Sequence, residues 1–174
     1  MKFDEMFNRF IHDWPLPDAP LSESFVVLGC SHTTGVGLEK SQAYPSLLSE
    51  HYQRPVYNLA VGNGNVDICK LNMYQIINSM LPEFVVIQWP NPIRKIIWQE
   101  TKDGMVASLE NINNASPSFQ QLVAISEMQF YFDWVATIVG INTLCRAVRL
   151  PVVNIYLDEL SQEYREMFEN QNDF

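Results

Sequence analysis

Three side chains capable of chemistry stand in a row, Cys30, Ser31 and His32, within the stretch FVVLGCSHTTGVG at residues 25–37. A serine attacks a carbonyl only when a base takes its proton and N–H donors hold the oxyanion that forms. A serine just past a buried strand can have its hydroxyl exposed, and its own N–H can point at a bound oxyanion. The same position also suits a turn serine or a helix N-cap. Two more stretches could complete such a site. In Asn58–Asp67, NLAVGNGNVD, glycines and asparagines permit left-handed backbone that turns N–H groups toward an anion. Read plainly, it is a strand-to-helix connection. Asn91 lies between Pro90 and Pro92, where its amide could donate into the same crevice or simply shape a turn.

Competing chemistries fail on spacing. A phosphate-binding P-loop needs G-x-x-x-x-G-K-[ST], whereas five residues separate Gly29 from Gly35 and Val36 follows. A dinucleotide fingerprint needs a third glycine where Gly62-Asn-Gly64-Asn-Val is followed by Asp67. Cys30, Cys69 and Cys145 fit no zinc pattern, so neither a metal nor another cofactor is expected. Arg94 and Lys95 could meet an acidic group but also read as a solvated helix start. Trp89 and Trp98 could line an acyl pocket or belong to the core.

These residues must be held by regular elements. Residues 1–14 have apolar side chains near helical spacing and read as a short amphipathic helix. Pro15, Pro17 and Pro20 then give an extended linker. Short apolar runs at Phe25–Leu28, Val56–Val61, Phe84–Trp89 and Val152–Leu157 read as strands. Helices are expected over 39–52, with Pro45 in the first turn, over 66–80, and over 118–148 with a kink near Gly140. Residues 99–117 are polar and read as a loop or lid, and the acidic tail 158–174 is helix-capable. Strands alternating with helices imply a mostly parallel sheet, here with the first strand in the middle. Chemistry in such sheets sits outside the carboxyl ends of the strands, where Ser31, the 62–64 loop and Asn91 all fall. The chain divides into an arm and linker, 1–24, and one domain, 25–174.

Bulk properties narrow the partners. A net charge of −9 with no basic patch argues against nucleic acid and against an anionic membrane surface. The apolar stretch 121–150 carries Glu127, Asp133, Arg146 and Arg149, so no membrane span is expected. The acidic start lacks an apolar signal segment, and three cysteines suggest no disulfide framework. Both features lead to a cytoplasmic expectation.

The three strand ends together resemble the blocks of the SGNH (GDSL-type) hydrolases, across roughly residues 24–98. Gly29-Cys30-Ser31 stands for the Gly-Asp-Ser block, Asn58-Leu-Ala-Val-Gly62-Asn63-Gly64 for the asparagine-led second block, and Asn91 for the third. The resemblance implies a flavodoxin-like three-layer α/β/α fold. It implies Ser31 as nucleophile and an oxyanion hole from the Ser31 N–H, Gly62 or its neighbour Asn63, and the Asn91 amide. The substrate would be a small ester or acetyl group, with no cofactor. Cys30 replaces the usual aspartate, and counting five residues on from Asn58 lands on Asn63 between two glycines. The run QWPNP lacks the Gly-x-Asn-Asp form of the third block. Asp158-Glu-Leu-Ser161 has serine where the family carries its histidine base, and the histidines are His12, His32 and His51. The general base is therefore unassigned. Two readings follow: an SGNH-type ester hydrolase, or an SGNH-like binding module with impaired catalysis.

Overall fold

All four side chains of Phe25–Leu28 (β1) are buried, because the strand is covered on both faces. Phe25 and Val27 point to one side and meet Val86, Tyr44 and Leu48. Val26 and Leu28 point to the other and join Met73, Ile76, Trp134 and Ile138. This alternation follows from the two-residue period of a strand and yields three layers, helix, sheet and helix. The fold is described here from a computed structural model covering residues 10–79, 81–92, 94–101, 104–111 and 127–156, with backbone alone for 94–101, 104–111 and 127–129.

The principal sheet has the order β2-β1-β3-β6, where β2 is Val56–Asn58, β3 is Val85–Trp89 and β6 is Val152–Tyr156. Every neighbouring pair is parallel, with Val26 opposite Tyr57 and Val85, and Val86 opposite Val153. The expected parallel sheet with an internal first strand is thus the observed one. β2 lies on one side of β1 and β3 on the other, so the order reverses between β1 and β3. Ligand crevices form at such a reversal, outside the strands' carboxyl ends.

Among the described residues four α-helices accompany the strands: α1 (Ser31–Thr34), α2 (Tyr44–Tyr52), α3 (Val66–Asn78) and α4 (Glu127–Ala147). Pro45 sits in the first turn of α2, where its missing N–H would have had no helical partner. α3 starts at Asn65, whose Oδ1 accepts the Ile68 N–H at 3.1 Å as an N-cap. α4 runs through Gly140 as one helix. No helix among the described residues is long and apolar enough to cross a membrane.

Three expectations are corrected. Arg94–Thr101 (β4) and Gly104–Asn111 (β5) form an antiparallel hairpin where a loop or lid was expected, and Arg94 and Lys95 open a strand rather than a helix. Polarity misled there: an antiparallel pair does not need two apolar faces. β2 ends at Asn58 instead of Val61, because the Asn58 side chain bends the chain by accepting the Ala60 N–H at 3.1 Å. Residues 10–14 are irregular rather than helical, since their backbone is engaged by other parts of the chain. The expected helix over 1–9, the start of the long helix over 118–126 and the acidic tail lie outside the described residues.

Candidate active site

The turn after β1 is built around Gly29. A Cβ there would lie 2.0 Å from Thr33 Oγ1 and 3.1 Å from the Gln88 carbonyl oxygen, so only glycine lets α1 begin at once. Cys30 is extended and buried, and Ser31 is the first residue of α1. Gly35, at φ +73, closes this single turn in the left-handed conformation that favours glycine. Ser31 is partly buried. Its carbonyl accepts from the Thr34 hydroxyl at 2.9 Å and the Val36 N–H at 3.1 Å. Its N–H and its hydroxyl meet no partner among the described residues.

Thr33 fixes this turn to its surroundings. Its buried hydroxyl donates to Gln88 Oε1 at 2.5 Å and accepts from the Tyr44 hydroxyl at 3.3 Å. The Thr33 carbonyl accepts from Asn58 Nδ2 at 3.4 Å. One residue therefore joins α1 to the ends of β2 and β3 and to α2. Burial pushes the Tyr44 phenol up to about 12, so it stays protonated and able to donate.

The second loop lies directly against the first. The Leu59 N–H donates to the Val27 carbonyl at 2.8 Å, and the Val61 N–H to the Gly29 carbonyl at 3.4 Å. A Cβ on Gly64 would fall 2.6 Å from the Gly29 oxygen, 2.7 Å from the Val61 oxygen and 3.3 Å from Cys30 Cα. Backbone therefore packs on backbone beside Ser31, which only glycine allows. The Gly64 N–H donates to the Val61 carbonyl at 2.8 Å, and the Gly62 N–H to Asp13 Oδ2 at 2.5 Å. Asn63, exposed and left-handed at φ 58, keeps an N–H that meets no acceptor among the described residues.

Asp13 belongs to a strap, Ile11–Trp14, laid across these loops. Asn72 on α3 holds both polar groups of Ile11, accepting its N–H and donating to its carbonyl, each at 2.8 Å. Asn72 also donates to the Leu59 carbonyl at 3.1 Å. The Asp13 N–H reaches the Ala60 carbonyl at 3.3 Å, and Trp14 Nε1 reaches the Thr34 carbonyl at 3.2 Å. The Lys40 ammonium stands over the Trp14 ring, 5.6 Å from its centre.

Asn91 follows β3 after Pro90 and is partly buried. The Pro90 carbonyl accepts from Trp134 Nε1 at 2.8 Å, which ties this strand end to α4. Ser31 and Asn91 thus follow adjacent strands on either side of the sheet's reversal. Trp89 is core: it is 1% exposed, and its Nε1 donates to Asn154 Oδ1 at 2.8 Å. The Trp98 side chain lies outside the described residues. His12 is partly buried in the strap, with Nδ1 against the Trp14 carbonyl. His32 is exposed beside Ser31, and His51 lies in the last turn of α2, edge-on to Tyr52.

Sequence reasoning passed over Asp13, Thr33, Asn72 and Gln88. Thr33 carried a signal: a threonine four residues past a strand-ending glycine is well placed to fill the space that glycine leaves. Asp13 carried none, since an acid in a proline-flanked arm looks like any solvated acid.

No family model matches the chain, and no curated protein matches it. Solved structures do. TesA shares 15% identity, over 84% of this chain and 69% of its own, with a TM-score of 0.51. AlinE4, an SGNH-hydrolase family esterase, shares 14% identity with a TM-score of 0.47, over 79% of this chain and 60% of its own. The match thus spans less than two thirds of the AlinE4 chain. Likeness at these identities is likeness of fold, and the chain shares its α/β fold with TesA.

Proposed function

We propose that the protein is an SGNH-type ester hydrolase in which Ser31 is the nucleophile. The observation that carries this reading is the packing of Gly64 on Gly29 and Cys30, which sets the Asn63 loop beside the Ser31 turn. In this reading Ser31 Oγ attacks the carbonyl carbon of a small ester. The carbonyl oxygen gains the negative charge and is held by the N–H groups of Ser31 and Asn63 and by the Asn91 amide. Of the two backbone donors considered, Gly62 and Asn63, the second is favoured because Asp13 already accepts the Gly62 N–H. The ester C–O bond breaks, the Ser31 proton passes by way of solvent to the departing alkoxide, which leaves as the alcohol, and water then adds to the acyl carbon, freeing the acid and returning a proton to Ser31 Oγ. Each oxyanion donor is worth about 3 kcal/mol in the transition state.

The test is hydrolysis of p-nitrophenyl acetate, with fluorophosphonate labelling read by mass spectrometry. The wild type turns over and carries the label on Ser31. Ser31→Ala loses both, and Asn91→Ala lowers kcat by about 10²–10³-fold. A wild type no faster than Ser31→Ala would overturn the reading.

A second reading, an SGNH-like binding module with impaired catalysis, is favoured by the Ser31 hydroxyl, which no base engages among the described residues. It expects no label on Ser31 and no turnover above the Ser31→Ala variant.

A further inference from the structure

Besides the contact to Gly62, Asn72 holds Ile11, the Ala60 carbonyl accepts the Asp13 N–H, and the Thr34 carbonyl accepts from Trp14 Nε1. The strap's path thereby bridges α3, the loop after β2 and the helix that starts at Ser31. At the middle of that bridge the Asp13 carboxylate takes the Gly62 N–H at 2.5 Å, a charge-assisted hydrogen bond of the strong kind. We infer that Asp13 is a positioning residue for the oxyanion loop: by engaging the Gly62 N–H it fixes the Asn63 N–H as the loop's outward donor beside Ser31. This inference rests on the function proposed above.

The geometry gives the reason. Residues 62, 63 and 64 present three successive N–H groups. The last is turned inward to the Val61 carbonyl, and the first is held by Asp13. The peptide that carries the Asn63 N–H lies between these two fixed points, and Asn63 is left-handed at φ 58, as the bend requires. With Asp13 absent, Gly62 would lose its only acceptor among the described residues, and glycine allows more backbone conformations than any other residue. The donor would then wander. Asp13 touches neither substrate nor Ser31 in this account and acts through the loop.

A contrary account uses the same contact. If Gly62 rather than Asn63 were the working donor, the Asp13 carboxylate would occupy its N–H and exclude substrate. The two accounts predict opposite signs. Asp13 is exposed, so its substitution leaves the core intact. Three proteins are compared with p-nitrophenyl acetate: wild type, Asp13→Ala, which removes the acceptor, and Asp13→Asn, which keeps an acceptor oxygen without the charge. The positioning role expects kcat of Asp13→Ala to fall by about 10–100-fold, the scale set by a misplaced catalytic group, with KM little changed. Asp13→Asn restores it.

A second readout needs no turnover. The Asn63 amide order parameter falls from about 0.85 to below about 0.6 in Asp13→Ala and recovers in Asp13→Asn. An unchanged order parameter, a kcat that rises or holds in Asp13→Ala, or a loss that Asp13→Asn fails to restore overturns the inference. If wild type and Ser31→Ala are equally inert, the proposed function fails, and the Asn63 order parameter alone decides whether Asp13 sets the loop.

Discussion

Thr33 and Gln88 meet side chain to side chain, hydroxyl to amide oxygen, at 2.5 Å across the gap between the first turn and the end of β3. Both are buried, Thr33 completely and Gln88 to 7% exposure. Thr33→Val keeps the shape, removes the donor and strands Gln88 Oε1, which costs about 1–3 kcal/mol. Urea denaturation should show a lower midpoint with an unchanged slope. The double variant Thr33→Val/Gln88→Leu should recover part of the loss, because an unsatisfied partner costs more than a missing pair.

Glycine substitutions should split by location. Gly29→Ala forces a Cβ to within 2.0 Å of Thr33 Oγ1 and 2.9 Å of Thr33 Cβ. Overpacking of this kind costs about 1–3 kcal/mol, and it should also lower Ser31 labelling, since α1 must shift. Gly140→Ala meets nothing within 4 Å in the middle of α4. It should stabilise by about 0.5–1 kcal/mol, because alanine is the better helix former. Equilibrium unfolding of the two variants side by side checks both signs.

Asn72→Ala should release the strap while the sheet survives. It removes the three hydrogen bonds that hold Ile11 and Leu59. Limited proteolysis with chymotrypsin should then cut after Phe10 faster than in the wild type. Equal cutting rates would show that Asn72 does not govern the strap.

Stability should decline in alkali. Burial pushes the Cys145 thiol from 9.0 up to about 11 and the Tyr44 phenol from 10.0 up to about 12, and it raises Cys69 as well. Each group is held neutral in the folded chain, while in the unfolded chain it loses its proton near its ordinary value. Between pH 9 and about 12 the unfolded state thus binds fewer protons, and unfolding free energy falls as pH rises. Urea midpoints should be flat with respect to these groups below pH 8 and drop steadily above 9. The same burial should keep Cys69 and Cys145 from reacting with a thiol reagent until the chain unfolds.

The sheet was legible because β1 and β3 are buried on both faces, which leaves apolar runs such as FVVL at residues 25–28 and FVVI at residues 84–87. The location of Ser31 and of the 62–64 loop was legible for the same reason, since both follow the ends of such runs. The hairpin Arg94–Asn111 was not: its signal is the pairing of Thr101 with Gly104 across a two-residue connection, and polar side chains hide it. The strap was least legible of all. Its conformation is set by partners such as Asn72 and Gly62, distant in sequence, and nothing local in residues 11–14 announces them. Which N–H of the 62–64 loop is left outward depends on Asp13 in turn, so that detail waited on the fold.

The strap also orders the events of synthesis. Ile11 is made before its hydrogen-bonding partner, Asn72, which follows 61 residues later. Until α3 has been added, Ile11 lacks Asn72, and its side chain, 7% exposed in the finished protein, stays in water. The segment Ile11–Trp14 is therefore a late-docking piece, and a bulky group attached beside it acts on a stretch that must travel back across its own fold.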